Sequence, residues 1–386
     1  MASTTSSPSR VIRVGIIGCG EIAQVVHIPT LNFLADKFRV TYLCDVAAGA
    51  RETCADRVVQ GTEGKRPVTT ASAEELCASP EVDAVLIANA DAYHVEHGLL
   101  ALAQNKHVLI EKPAALCFRD IDRLIEAEKQ ASGGARVFVG TMRRYATAFE
   151  DAVKEVGGFD HVHYARVRDI IGPNALGVSQ SGTFPRAFQA GDVSAADSDD
   201  RAARELDIQT QALSNEFGVP LNDASKRMLR VLGALGTHSL SAMRELLGMP
   251  KSVAGAALTL PGIFAVLFRY ETFAVTYESG LSGVPTFDAN IEVYSANKIV
   301  RVNFDTPYVK GLPVTLTIRE RVEDEGVAEP YYQERTIRKT YTDPYTLEML
   351  EFYEVVANGK TPKTSAVDSR NDLELFKIIL QAGYKA

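Results

Sequence analysis

The stretch Val11–Ala23 constrains the fold of this chain more than any other, because a Val- and Ile-rich run breaks at two glycines and continues with helical spacing. The run is typical of a strand buried on both faces of a parallel sheet. Gly18 permits a tight turn, Gly20 lets the backbone approach a pyrophosphate, and Ala23 allows close helix–strand packing. Free N–H groups and the helix dipole favour phosphate at the start of that helix. The order of these residues predicts a dinucleotide site rather than a plain strand–helix turn.

Strand and helix patterns alternate from residue 11 to about residue 140, which predicts an α/β Rossmann fold with a doubly wound parallel sheet. Further strands are predicted at residues 39–44, 82–88, 107–111 and 136–140, and helices at 92–104 and 118–130. Ligands of such sheets bind beyond the carboxyl ends of the strands, so the residues after each strand are the candidate site residues. Residues 11–140 are therefore predicted to form a dinucleotide-binding Rossmann domain.

A chain of 386 residues is longer than one hydrophobic core usually supports, so a second domain is expected over residues 141–386. Apolar alternation predicts strands at 161–169, 252–260, 263–270, 273–278, 290–295, 299–303, 314–319 and 333–341, with two helices after Pro344. This pattern predicts an α+β C-terminal domain with a large, mostly antiparallel open sheet. Residues 171–226 interrupt the pattern and are interpreted either as a lid over the cleft or as a solvated surface excursion.

Composition excludes several classes of partner. The net charge of −8 argues against nucleic acid and against an anionic membrane, and no apolar run is long enough to span a bilayer. The five cysteines lie in the first third of the chain without metal-ligand spacing, so reduced thiols and no metal site are expected. Residues 1–10 are Ser- and Thr-rich without an apolar segment, which predicts a disordered tail on a cytoplasmic protein.

Asp45 follows the second strand, at a place where a carboxylate accepts hydrogen bonds from the adenosine ribose and repels a 2′-phosphate. No arginine follows it directly, and Arg51 is the nearest basic residue downstream. NAD is therefore predicted as the cofactor in preference to NADP, and a solvated strand-end aspartate is the alternative. After the strand at residues 82–88, Asp91 is predicted to cap a helix and His94 to pack within it.

Glu111, Lys112 and Pro113 end the strand at residues 107–111. Pro113 lacks an N–H group and biases Lys112 away from helical backbone, which keeps the lysine at the strand end. Beside a cationic nicotinamide in a partly desolvated cleft, the pKa of a lysine falls, so that it can exchange a proton with a substrate oxygen. A solvated strand-end lysine is the alternative.

Four motifs occur in order: Gly18-Cys19-Gly20-Glu21-Ile22-Ala23, Asp45, residues 105–113 ending in Glu111-Lys112-Pro113, and residues 139–145. Together with Gly359-Lys360-Thr361-Pro362, they resemble the Gfo/Idh/MocA family (glucose–fructose oxidoreductase, inositol dehydrogenase and rhizopine catabolism). The resemblance implies a cis bond before Pro113. It also implies a pyrophosphate site at Gly18, Cys19, Gly20, Glu21 and Ile22, an adenosine ribose site at Asp45, and a nicotinamide site at Asn89, Ala90, Asp91, His94, Glu111, Lys112 and Arg144.

Residues 230–241 resemble the family's Gly-x-His helix, whose histidine faces the nicotinamide; here that histidine is His238. Many sugar and cyclitol dehydrogenases of the family carry an aspartate one helical turn earlier, where it assists the base. Ala234 holds that position here, and Ser241 holds a second acidic position. His238 therefore lacks its usual carboxylate partner unless Asp169 or the insertion supplies one, and a core histidine is the alternative.

The resemblance implies an NAD-dependent oxidoreductase that moves a hydride between the nicotinamide and a hydroxyl or carbonyl carbon of a small molecule such as a sugar or cyclitol. His238 is the predicted general base, and Lys112 is predicted to stabilise the oxyanion and share the proton. The absence of the usual aspartate at position 234 leaves room for a non-sugar ketone or for conjugated double-bond reduction. Ala234 and Ser241 also favour a sensor that binds dinucleotide without turnover, whereas Lys112 and His238 argue against it, and NAD-assisted glycoside cleavage is a third possibility. The family also implies a homodimer or higher homo-oligomer, formed through the free face of the antiparallel sheet.

Overall fold

The computed structural model describes residues 10–59, 65–188, 192–326 and 328–384. The predicted disordered tail lies outside these residues except for Arg10. The first part of the chain contains β1 (Ile12–Ile17), α1 (Ile28–Phe33), β2 (Phe38–Cys44), α2 (Ala48–Arg57), β3 (Val68–Thr70), α3 (Ala73–Ala78), β4 (Ala84–Ile87), α4 (His94–Ala103), β5 (His107–Glu111), α5 (Phe118–Gln130) and β6 (Val137–Gly140).

These strands form one parallel sheet in the order β3-β2-β1-β4-β5-β6, and every neighbouring pair is parallel. The order reverses between β1 and β4, so a crevice opens at the carboxyl ends of these two strands. All residues of β4 and β6 are buried, as expected for strands covered by helices on both faces. The prediction of a doubly wound Rossmann sheet is confirmed.

The rest of the chain contains α6 (Thr147–Gly157), β7 (Tyr164–Ile171), α7 (Asn174–Ser179), α8 (Ala195–Thr210), α9 (Asp223–Val231), α10 (Thr237–Leu247), β8 (Ser252–Ala257), β9 (Ile263–Arg269), β10 (Ala274–Leu281), β11 (Phe287–Tyr294), β12 (Lys298–Phe304), β13 (Thr315–Val322), β14 (Tyr331–Ile337), α11 (Pro344–Asn358) and α12 (Ala366–Gly383). No helix in the described ranges is both long and apolar enough to cross a membrane.

The second sheet has eight strands in the order β14-β13-β12-β11-β7-β10-β9-β8. Its only parallel pair among the described strands is β7 with β10. Buried and exposed residues alternate along β9, so Phe264, Val266 and Phe268 enter the core while Ile263 and Leu267 face outward. The predicted mostly antiparallel sheet of an α+β domain is therefore confirmed.

Helix α11 joins the two halves of the molecule. Its Phe352 packs on Phe38 and Phe138, with ring centroids 6.5 Å and 5.6 Å apart, and so covers the parallel sheet. Beyond this helix, the carbonyl oxygen of Thr364 accepts a hydrogen bond of 2.7 Å from the N–H of Val139 in β6. The C-terminal segment thus fixes the position of the parallel sheet beside the antiparallel one.

The two glycines after β1 have different physical roles. Gly18 has a φ of +103°, and a Cβ there would lie 2.5 Å from the backbone of Ala88 and Asn89 at the end of β4. A Cβ on Gly20 would meet no atom within 4 Å. Gly18 is therefore required by the close approach of two strand ends, whereas Gly20 leaves free space above the start of the helix.

We expect Gly18→Ala to lower the free energy of unfolding by ~1–3 kcal/mol, because the substitution adds backbone strain and a collision with the end of β4. Gly20→Ala is the matched control and should change this free energy by less than ~0.5 kcal/mol. Urea denaturation of both variants measures the difference. Equal stability of the two variants would contradict the assigned role of Gly18.

Candidate active site

The turns after β1, β4 and β5 meet at the carboxyl edge of the parallel sheet and border a cavity of about 270 Å³, here called the edge cavity. Its wall from the second domain includes His238 and Tyr308. Seven predicted cofactor-binding residues line it: Glu21, Ile22, Asn89, Asp91, His94, Glu111 and Lys112. Of the other six, Gly18, Cys19, Gly20 and Ala90 lie in the same turns and Asp45 in the turn after β2, none of them lining the cavity, and Arg144 lies elsewhere.

A second cavity of about 310 Å³, here called the sheet cavity, lies between the helix of His238 and the antiparallel sheet. It shares Lys112, Ala234, His238, Tyr308 and Tyr345 with the edge cavity. The two cavities therefore adjoin, and the two predicted catalytic residues lie together at their junction.

Lys112 is held at this junction by its backbone and its side chain. The Lys112–Pro113 peptide bond is cis, as the family resemblance implies. The Nζ atom donates a hydrogen bond of 2.9 Å to the carbonyl oxygen of Ala234. Burial lowers the pKa of Lys112 and the positive charge of Arg143 lowers it further, against the opposing effect of the Glu111 carboxylate. A lysine in this environment gives up its proton more readily than one in water.

Glu111 is buried beneath Lys112 and is paired with a histidine. Its Oε1 atom lies 2.8 Å from Nε2 of His27, and its Oε2 atom accepts the backbone N–H of Lys112 at 3.2 Å. Burial alone would raise the pKa of Glu111, but the His27 hydrogen bond and the Lys112 charge hold that pKa below its usual value. The carboxylate is therefore ionised and connects the first helix with the end of β5.

His238 is buried and has no carboxylate partner. Its Nδ1 atom has no hydrogen-bond partner among the described residues. Burial lowers the pKa of His238 well below its ordinary value, and the charges of Lys112 and Arg143 lower it further. Ser241 donates to the His238 carbonyl oxygen at 3.4 Å rather than to the ring. The imidazole is therefore neutral at physiological pH and free to accept a proton.

Asp169 does not serve as the partner of His238. Its two carboxylate oxygens accept hydrogen bonds of 2.8 Å and 3.1 Å from the guanidinium of Arg143, and Ser239 donates to it at 2.5 Å. The side chain is fully buried by these partners. The possibility that Asp169 assists His238 is therefore contradicted, because its acceptor atoms are already bound to Arg143 and Ser239.

The predicted position of Arg144 near the carboxamide is also contradicted. Its guanidinium pairs with Glu245 and Asp368, and it lines neither cavity. The neighbouring Arg143 lines the sheet cavity instead and lies over the rings of Phe287 and Phe304, at 5.6 Å and 5.1 Å from their centroids. The two adjacent arginines therefore point in different directions from one short helical turn. Arg143 points to the sheet cavity, and Arg144 points to Glu245 of α10 and Asp368 of α12.

The turns at the edge cavity are held by side chains that the sequence singled out. The Asp45 carboxylate accepts the N–H groups of Cys19 at 2.7 Å and Ala47 at 2.9 Å. His94 bridges two strand ends, because its ring nitrogens lie 2.8 Å from the Pro113 carbonyl oxygen and 3.1 Å from that of Asn89. With the free space at Gly20, a half-exposed carboxylate after β2 and a helix start, these turns fit a dinucleotide.

The insertion, residues 171–226, packs along the parallel-sheet domain. Gln24 exchanges hydrogen bonds with the backbone of Arg186, and the Asp192 carboxylate accepts the Gly49 N–H at 2.9 Å. Farther along, Asp200 in α8 accepts the hydroxyl of Tyr93 at 2.7 Å. The described part of the insertion thus crosses the turns after β1, β2 and β4.

Sequence reasoning missed Tyr308, which lines both cavities. Its hydroxyl accepts a hydrogen bond of 3.0 Å from Asn174 of the insertion. Tyr308 lies in the loop between β12 and β13, and no motif distinguishes it from other loop residues. Only the sequence Pro307-Tyr308 after a strand could have suggested a rigid, ligand-facing turn.

Residues 12–141 match the model of an oxidoreductase family with an NAD-binding Rossmann fold. Inositol 2-dehydrogenase 3 of Saccharopolyspora erythraea is 30% identical over 208 residues, which cover 53% of this chain. The chain spans about half the length of this curated relative, 55%.

Two solved structures extend the likeness to the whole chain. A 3-ketoreductase from Actinomadura kijaniata in complex with NADP aligns over 97% of this chain and 98% of its own, with a TM-score of 0.67 and 17% identity. A levoglucosan dehydrogenase in complex with NADH and levoglucosan aligns over 97% of both chains, with a TM-score of 0.69 and 15% identity. These two likenesses establish the shared fold. The family match and the motifs agree over residues 12–141, and this part of the chain matches the Gfo/Idh/MocA oxidoreductase family.

Proposed function

We propose that this protein is an NAD(H)-dependent oxidoreductase that transfers a hydride between the nicotinamide and a hydroxyl or carbonyl carbon of a small molecule. The observation that carries the proposal is the meeting of Lys112 and His238 where the edge cavity adjoins the sheet cavity. The edge cavity takes the nicotinamide end of the cofactor, and the sheet cavity takes the substrate. A hydride donor and its acceptor then come together beside a proton acceptor and a cation.

The cofactor, when bound, accepts or donates the hydride, and the chain's own residues move the proton. His238 is neutral and buried, so it accepts the proton of the substrate hydroxyl during oxidation. The Nζ atom of Lys112, held by Ala234, donates to the oxygen as negative charge develops there. Such proton transfer by a positioned side chain typically contributes ~10²–10⁴-fold to the rate.

Binding of the dinucleotide uses the turns at the carboxyl edge of the parallel sheet. Gly18, Cys19, Gly20, Glu21 and Ile22 would hold the pyrophosphate at the start of the helical segment that precedes α1, and Asp45 would hold the adenosine ribose. Glu111 and Lys112 flank the nicotinamide ribose. His94, Asn89 and Asp91 line the edge cavity and would form the wall behind the nicotinamide.

We expect Lys112→Met and His238→Ala each to lower kcat by ~10²–10⁴-fold while NADH affinity stays within a few-fold, because both residues act on the proton. Nicotinamide absorbance measures turnover on a panel of sugars, cyclitols, hydroxy acids and ketones. The matched controls are Lys129→Met and His161→Ala, whose side chains are exposed. Full activity of Lys112→Met would remove the lysine from the mechanism. Tight NADH binding without turnover of any compound would favour the dinucleotide-binding sensor, to which the alanine at position 234 also points.

The pH dependence should follow the two lowered pKa values. Oxidation needs neutral His238, so kcat/KM falls only below the lowered pKa of this residue, at a pH under the ordinary 6.5. Oxidation also needs protonated Lys112, so kcat/KM falls again as the pH rises through the pKa of this lysine. Because that pKa is lowered, this second fall begins below the ordinary lysine value of 10.5. In Lys112→Met a positive charge is lost, and the pKa of His238 should rise toward its ordinary value. Histidine NMR titration measures this rise, and an unchanged His238 pKa, as in Lys129→Met, would contradict the coupling.

We also propose that NAD is preferred over NADP and that the insertion covers the adenosine end of the cofactor. Asp45 accepts the N–H of Ala47 in the turn between β2 and α2, and Asp192 accepts the N–H of Gly49 in the first turn of α2. The two carboxylates make this turn negative, which disfavours a 2′-phosphate.

We expect Asp45→Ala to narrow the kcat/KM preference for NADH over NADPH by about tenfold, which corresponds to ~1.4 kcal/mol. Asp192→Ala should narrow the same preference and raise the KM for NADH, because it releases the insertion from Gly49. Asp160→Ala is the control, since this aspartate is exposed and lies outside the cofactor turns. An unchanged NADH to NADPH ratio in both variants would show that these carboxylates do not contact the ribose.

The free face of the antiparallel sheet supports a homo-oligomer. On β9, Ile263 and Leu267 are 50% and 41% exposed, which leaves an apolar strip without cover in one chain. Light scattering should give a mass of at least two chains, and Leu267→Asp should lower that mass, whereas Val367→Asp on α12 should not. A monomeric native protein would refute this assembly. We further propose a cytoplasmic location, supported by five buried free thiols.

A further inference from the structure

The sheet cavity is walled mainly by hydrocarbon. Its walls include Ile171, Val231, Leu235, Leu281 and Phe287, which come from the end of β7, from α9, from the helical segment that joins α9 to α10, and from β10 and β11. The volume of about 310 Å³ is at the lower end of the range for small-molecule sites. An apolar wall of this kind binds a ligand by excluding water from hydrocarbon surface.

Six of the fourteen residues that line the cavity are polar, and four of these six, Lys112, Arg143, Asn174 and Tyr308, are hydrogen-bonded within the protein. Arg143 is paired with Asp169, Asn174 donates to the hydroxyl of Tyr308, and Lys112 donates to a carbonyl oxygen. Among the described residues that line the sheet cavity, only His238 has a buried side-chain atom without a partner, its ring nitrogen Nδ1. The cavity therefore offers hydrogen bonds to one substrate oxygen near Lys112 and His238, with few acceptors elsewhere.

No aspartate or glutamate is among the described residues that line the sheet cavity. Ala234 has a methyl group at the position where an aspartate would accept hydrogen bonds from substrate hydroxyl groups. The Ser241 hydroxyl donates its hydrogen bond to the His238 carbonyl oxygen. A polyol would lose water from several hydroxyl groups here without gaining protein acceptors, and each such loss is unfavourable.

We infer that the substrate is a secondary alcohol or ketone with a mainly hydrocarbon skeleton rather than a polyhydroxylated sugar or cyclitol. This inference rests on the proposed oxidoreductase function and names its substrate class. In oxidation, the C–H bond of the carbinol carbon breaks with its electron pair passing to NAD⁺, and the O–H proton passes to His238. The C–O single bond becomes the carbonyl, and the rest of the molecule contacts the apolar walls.

Cyclohexanol, menthol and myo-inositol test the inference, because they share a six-membered ring and differ in hydroxyl number. With NAD present, kcat/KM should be at least ~10²-fold higher for the two hydrocarbon alcohols than for myo-inositol, which is about what an apolar pocket achieves against a single added hydroxyl. Binding is measured separately, as the quenching of bound-NADH fluorescence by cyclohexanone and by the 2-ketone of myo-inositol. This second measurement requires no turnover.

Two variants connect the preference with particular walls. Ala234→Asp adds a carboxylate and should shift the kcat/KM ratio toward myo-inositol by at least about tenfold. A shift of this size corresponds to one well-placed hydrogen bond to a charged acceptor. Leu235→Asn should weaken cyclohexanone binding, whereas the matched control Leu206→Asn, on an exposed face of α8, should not.

The outcomes separate this inference from the proposed function. Preferred turnover or binding of the polyol overturns the inference and leaves the oxidoreductase function intact. Failure of cyclohexanone to bind the NADH complex also overturns it. Failure of NADH itself to bind refutes the proposed function instead.

Discussion

The buried pair of Glu111 and His27 is the interaction on which the rest of the site depends. A buried carboxylate is costly unless it is hydrogen-bonded, and here it binds the ring of His27 and the N–H of Lys112. His27 ends the helical segment that follows the glycine turn, and Lys112 follows β5. One carboxylate therefore fixes the helical segment after the glycine turn relative to the lysine that borders both cavities.

Two adjacent arginines position the part of the site that the second domain contributes, because each forms an ion pair with a different element. Arg143 pairs with Asp169 of β7, and Arg144 pairs with Asp368 of α12. Arg244 in α10 pairs with the same Asp368, so the helix that carries His238 is tied to the C-terminal helix. These ion pairs are largely buried, and their geometry decides where the sheet cavity lies relative to the parallel sheet. The imidazole of His238 has no carboxylate partner. It lies near the positive charges of Lys112 and Arg143 and therefore remains neutral.

Much of the site could be predicted where the residues lie in one local motif. Gly18, Asp45 and Lys112 follow strands of a parallel sheet, and the carboxyl ends of such strands converge at one edge. The error at Arg144 arose because adjacent residues in a short turn point in different directions, which depends on the carboxylates that surround them. Tyr308 could not be predicted for a related reason, because a loop residue is brought to a site only when distant strands pack together.

The sequence by itself determined the two-sheet architecture and the cofactor turn, because hydrophobic periodicity and glycine positions act over short stretches of backbone. It also determined that His238 lacks the acidic neighbours one turn away on its own helix. Only the tertiary structure decided that Asp169 is bound to Arg143, that Lys112 and Ala234 are in contact although they are 122 residues apart, and that the sheet cavity is walled mainly by hydrocarbon. These features depend on packing between distant segments, where the burial of charge and the competition for hydrogen-bond partners select one arrangement.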